Sequence, residues 1–130
     1  MNETLDCPEC EAWVSPIDWK IDEKTVVQSD VAIFYNEDAD APYFTKTPPL
    51  VVEMLSKSTD HKDVTVKIEL YERLGMRWYV IGDPETRRAE IYENRNSHYE
   101  LFCRIDETKE LVTMRWGTCR AILDFAKIFA

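Results

Sequence analysis

One stretch of this chain, residues 59–74, has a helical apolar period several turns long, and almost everything around it alternates with a period of two. That contrast limits the fold to a sheet built around one principal helix. Residues 13–21 read as a strand, with Ile17, Trp19 and Ile21 alternating against Asp18 and Lys20. Residues 22–25 form a turn and 26–35 a second strand, so the first two strands make a hairpin. The polar stretch 36–47, with Pro42 inside it, reads as a loop, and 50–56 as a short buried strand. Thr59 or Asp60 caps the helix, and Gly75 stops it. Residues 77–81 form a further strand, and 83–86 a turn. Residues 88–92, 99–104 and 111–116 look like an antiparallel meander. Asp124 caps a last helical turn over 125–129. The expected fold class is α/β or α+β, a mixed sheet with a central helix. At 130 residues the chain fits a single domain, 1–130, whose first ten residues read as a disordered leader.

Composition excludes several functions. There are only three glycines, Gly75, Gly82 and Gly117, and no two are close. Neither a dinucleotide fingerprint nor a P-loop can be built from them, so no nucleotide cofactor is expected. The apolar runs are short and interrupted, so no membrane partner is expected. The acidic start, Met-Asn-Glu-Thr-Leu-Asp, is not a signal peptide, which points to a cytoplasmic protein. The formal charge of −9 argues at face value against nucleic acid. The acidity is local, however. Residues 1–50 hold 11 acids against 3 bases, whereas residues 51–130 hold 14 against 13.

Cys7-x-x-Cys10 has the spacing of a zinc knuckle or redox pair. A structural zinc needs four ligands. Cys103 and Cys119 form no second knuckle, and His61 and His98 are not at finger spacing. Reduced thiols are the expectation, with a small Cys7/Cys10 metal domain as the competing reading.

Three charges break the apolar patterning. Asp30 sits in the middle of a strand that is largely apolar on both faces. Glu53 lies within Leu-Val-Val-Glu-Met-Leu. At about 100° per residue, Lys67 falls inside the arc of Val64, Ile68, Tyr71, Leu74 and Leu70. Buried charges need partners. Two inward carboxylates exceed what one lysine can neutralise. A divalent cation resolves that excess, and Mg²⁺ accepts one or two carboxylates plus water and phosphate. The alternative is a structural Glu53–Lys67 ion pair.

The strings VVQSDVAI (26–33), PPLVVEMLSKST (48–59) and KIELYERLGMRWYVIGDPETRRAEIYE (67–93) resemble the Uma-two family of restriction endonucleases, within the PD-(D/E)XK nuclease superfamily. The resemblance implies a restriction-endonuclease-like fold and Mg²⁺- or Mn²⁺-dependent hydrolysis of DNA phosphodiester bonds. It places the motif aspartate on Asp30 and the motif glutamate on Glu53. The superfamily's lysine two residues later would be Leu55, so the role passes to Lys67 on the following helix. It further implies the backbone carbonyl of Met54 as a metal ligand and Gln28 and Tyr71 as site neighbours. Lys57, Lys62 and Arg77 would make weak DNA contacts, diluted by Asp60, Asp63, Glu69 and Glu72.

The sequence departs from the family pattern at Ser29, where a proline is usual, and at Gly82, where an apolar residue is usual. The family's N-terminal helical layer has no counterpart, so a covering element is expected to be lacking on one side. A homodimer would supply it. The competing expectation is a catalytically inactive interaction module acting as a homodimer.

Overall fold

The structure, a computed structural model, describes residues 3–7, 10–22, 25–35, 47–55 and 61–129. The strands are β1 (Glu3–Asp6), β2 (Cys10–Asp22), β3 (Thr25–Tyr35), β4 (Leu50–Met54), β5 (Trp78–Asp83), β6 (Arg88–Arg95), β7 (His98–Ile105), β8 (Leu111–Trp116) and β9 (Cys119–Asp124). The helices are α1 (His61–Arg73) and the single turn α2 (Phe125–Ile128). A mixed six-stranded sheet runs β2-β3-β4-β5-β6-β7, and a three-stranded sheet runs β1-β9-β8. The mixed α+β class is as expected from the alternation.

The β2–β3 hairpin forms as the patterning requires. β4 and β5 pair in parallel, a connection that needs a crossover, and α1 provides it. The helix stops through a Schellman arrangement. Gly75 has φ +79°, its N–H donates to the Glu72 carbonyl, and the Met76 N–H donates to the Tyr71 carbonyl. The expected caps Thr59 and Asp60 and the loop 36–46 lie outside the described residues. Asp124 caps α2 as expected, accepting from the Ala126 N–H at 3.1 Å.

Two expectations are corrected. β8 does not extend a meander from β7. It pairs with β9 in the second sheet, through a two-residue turn in which Gly117 has φ +54°. Its inward residues Val112, Met114 and Trp116 join Ala121 and Leu123 of β9 in a core that faces Trp78, Val80 and Ile91 of the large sheet. Period-two alternation reveals a buried face but not which sheet contains it. Secondly, residues 3–7 and 10 are part of the fold. β1 pairs with β9, and Cys7 and Cys10 are buried. The small sheet, with β1 at its edge, packs on one face of the large sheet.

Cys7 is bonded to Cys119, and neither Cys10 nor Cys103 takes part in a disulfide. The expectation of four reduced cysteines is corrected. A Cys7/Cys10 zinc knuckle is not formed, because Cys7 is already committed.

Gly82 has a packing reason. A Cβ there would lie 2.6 Å from Met54 Sδ and 3.5 Å from the Phe129 ring. Gly82→Val is expected to lower stability by about 1–3 kcal/mol through overpacking. In a Met54→Ala background the loss should shrink, which a double-mutant cycle by urea unfolding measures.

Candidate functional site

The six-stranded sheet has two distinct faces. Leu50 and Val52 of β4 face the small sheet. Val51 faces α1, together with Tyr79, Ile81 and Tyr71. Strand alternation puts Glu53 on the α1 side, and there it meets the helix.

Glu53 is 9% exposed. Its Oε1 accepts from Lys67 Nζ at 3.2 Å and from the Tyr71 hydroxyl at 3.0 Å. Its Oε2 accepts from the Tyr79 hydroxyl at 2.6 Å. The inward lysine and the misplaced glutamate of the sequence are thus partners. Lys67 keeps about a third of its side chain exposed (33%), so the pair lies at the edge of the buried region. Burial, and then the Glu53 charge, push the Tyr79 phenol far above its ordinary pKa, which keeps it protonated as a donor. Tyr71 packs edge-on against Tyr79, with ring centroids 4.9 Å apart.

Asp30 lies in β3, where the backbone ladder changes on both sides. Val31 pairs with Val52 and Ala32 with Val51. One step beyond that ladder, Asp30 falls level with Glu53. On its other side, Val14 pairs with Val31 but Ile17 pairs with Ser29. Ser15 and Pro16 therefore bulge opposite Asp30. Pro16 lacks an N–H for the ladder, and β2 is an edge strand, where such a bulge is tolerated. The side chains of Asp30, Gln28 and Lys62 lie outside what is described, and Lys57 lies outside the described residues altogether. Met54 follows Glu53 in register with Gly82.

Arg77 stands apart from this group. Its guanidinium donates to Glu93 Oε2 at 2.8 Å, and Arg95 Nε donates to Glu93 Oε1 at 2.7 Å. Burial alone would raise the Glu93 carboxyl, but the hydrogen bonds from Arg95 and Arg77 outweigh it and hold the group low. Arg77 also lies over the Trp78 ring, 5.9 Å from its centroid.

Sequence reasoning did not single out Tyr79. A signal was present: a phenol in the buried run Trp-Tyr-Val-Ile-Gly must find a polar partner. Tyr79→Phe is expected to destabilise the protein by about 1–3 kcal/mol, because it leaves a buried carboxylate oxygen short of a donor. Urea unfolding of the purified variant checks this.

A family model with the description "Putative restriction endonuclease" matches residues 4–113. The chain belongs to the Uma2 family. That match takes in β2, β3, β4 and α1, and with them Asp30, Glu53 and Lys67. Among solved structures, the Uma2 chain is similar to "a putative nuclease belonging to DUF820 from Anabaena variabilis". The two share 19% identity with a TM-score of 0.63, over 82% of this chain and 60% of that one. The similarity shows the fold, and the chain spans 60% of that relative's length. No curated protein matches. Among the described residues, no three His, Cys, Asp or Glu side chains gather as a metal-holding group, and no helix is long and apolar enough to cross a membrane.

Proposed function

We propose that this chain is a Mg²⁺- or Mn²⁺-dependent endonuclease hydrolysing DNA phosphodiester bonds, within one restriction-endonuclease-like domain over residues 1–130. The observation that carries the reading is the buried Glu53 carboxylate, paired with Lys67 one register step beyond the β3–β4 ladder, level with Asp30. Family membership supports the same chemistry.

The donor set fits a hard divalent cation. A carboxylate has about four lone-pair positions. Lys67, Tyr71 and Tyr79 take three of those on Glu53, leaving one on Oε2 among the described residues. Asp30, Glu53 and the Met54 carbonyl would hold the ion, all through oxygen, as Mg²⁺ and Mn²⁺ prefer. A bound cation would lower the pKa of a nucleophilic water and offset charge on the scissile phosphate.

The protein's own groups position the reaction. Lys67, anchored on Glu53 and partly exposed, donates to the attacking water or to the developing negative charge. Tyr71 and Tyr79 fix the rotation of the Glu53 carboxylate, and Gln28 lies on β3 beside Asp30. Lys62, in the first turn of α1, and Lys57, four residues before the helix in sequence, would supply weak, salt-sensitive phosphate contacts. Arg77, engaged with Glu93, contributes less.

Calorimetry with Mg²⁺ or Mn²⁺ tests the reading. Weak binding is expected in the wild type and none in Asp30→Ala or Glu53→Ala. Equal binding in all three would remove the site. The second reading, an inactive homodimeric interaction module, draws on the fact that three protein donors already satisfy most of Glu53. It predicts no cation binding in the wild type and a dimer by light scattering.

A further inference from the structure

The arrangement around Glu53 also bears on which cation the site would accept, and this inference rests on the metal-site reading above. A carboxylate can bind a cation through one oxygen or through both. Ca²⁺ takes 6–8 oxygen ligands at about 2.3–2.6 Å and readily uses bidentate carboxylates, whereas Mg²⁺ demands an octahedron at about 2.0–2.1 Å. Glu53 is not free to choose. Lys67 Nζ and the Tyr71 hydroxyl both donate to Oε1, at 3.2 and 3.0 Å, which fills that oxygen. The Tyr79 hydroxyl donates to Oε2 at 2.6 Å.

We infer that Tyr71 and Tyr79 act as positioning residues that restrict Glu53 to one-oxygen coordination through Oε2, and so select Mg²⁺ or Mn²⁺ over Ca²⁺. Two features make the restriction firm. Tyr71 and Tyr79 are buried, so water does not readily replace their hydroxyls. Their rings brace each other edge-on. The hydroxyls come from α1 and β5 and donate to different oxygens of the carboxylate. Rotation of Glu53 towards bidentate geometry would break at least one of these bonds inside the protein, where an unmade hydrogen bond is costly.

Removing a donor should therefore change selectivity as well as affinity. In Tyr79→Phe, Oε2 regains a lone pair and loses the contact that fixes its angle. In Tyr71→Phe, Oε1 becomes partly open and bidentate binding becomes possible. Groups that orient a metal ligand are typically worth about 10–100-fold in affinity.

The experiment is isothermal calorimetry of wild type, Tyr79→Phe and Tyr71→Phe with Mg²⁺, Mn²⁺ and Ca²⁺ separately, with thermal unfolding of each protein alongside. The expected result is a wild-type preference for Mg²⁺ and Mn²⁺ over Ca²⁺. In at least one variant, Mg²⁺ affinity should fall by about 10–100-fold while Ca²⁺ affinity holds or rises. A merely structural role would lower all three affinities by the same factor, and that result would overturn the inference. An unchanged affinity ratio in both variants would overturn it too. If the wild type binds none of the three ions, the metal-site reading itself has failed, a result distinct from either of these.

Discussion

Lys67→Ala is expected to reduce Mg²⁺-dependent plasmid nicking by about 10²–10³-fold, the range associated with removing one preorganised donor from a developing negative charge. The same substitution should change stability little. The lysine side chain is about one third exposed, and ion pairs that reach solvent contribute about 0–1 kcal/mol. Glu53 would still accept from Tyr71 and Tyr79, so no bare charge is left in the interior. The two readouts, a nicking rate under single-turnover conditions and a urea midpoint, should therefore separate: the first collapses while the second hardly moves. Lys67→Arg keeps the charge but replaces a compact point donor with a planar fork, and partial activity is expected. Nicking at the wild-type rate in Lys67→Ala would show that the lysine serves only as the counter-ion of Glu53.

Reduction of the Cys7–Cys119 bond should have the largest effect on stability. The two residues are 112 apart in sequence. The chain-entropy argument assigns about 4.7 kcal/mol to a loop of roughly 100 residues, with measured cases commonly nearer 2–4 kcal/mol. The bond also ties the residue just after β1 to the first residue of β9, the strand that β1 pairs with. Guanidinium unfolding with and without a phosphine reductant should show a lower midpoint in the reduced protein. Cys119→Ser should reproduce that midpoint and become insensitive to reductant. Thiol titration under denaturing conditions supplies a direct check. Cys10 and Cys103 alone should react before reduction, and all four cysteines after it. Disulfides persist where the surroundings are oxidising, so the outcome also bears on where such a protein can keep this bond.

Much of the fold was legible because much of it is decided locally. The β2–β3 hairpin, the helix stop at Gly75 and the Asp124 cap each depend on a few adjacent residues. β9 was missed because Cys-Arg-Ala-Ile-Leu-Asp alternates only briefly, although Gly117 before it carried a turn signal. β1 was missed because Glu-Thr-Leu-Asp has a single apolar residue and owes its order to β9. The Cys7–Cys119 pairing joins the two ends of the chain, and no spacing rule reaches that far.

The candidate site was legible for a different reason. Glu53 and Lys67 are charges in places where the surrounding pattern demands apolar side chains, so their partnership could be read from two local patterns. Tyr79 was hidden because a tyrosine fits a strand without breaking any pattern. Only the three-dimensional meeting of β4, β5 and α1 reveals what its hydroxyl does. The Ser15-Pro16 bulge was equally invisible, since it is a property of how β2 pairs and not of β2 itself.

The large sheet also works as a partition. Met114, Leu123 and Trp78 lie in the core on one side of it, and Glu53 meets Lys67, Tyr71 and Tyr79 on the other. Groups with no shared partner make nearly additive contributions. The fold is therefore modular through its thickness. Robustness can drift on one side while chemistry is tuned on the other, which leaves evolution or an engineer two nearly independent dials.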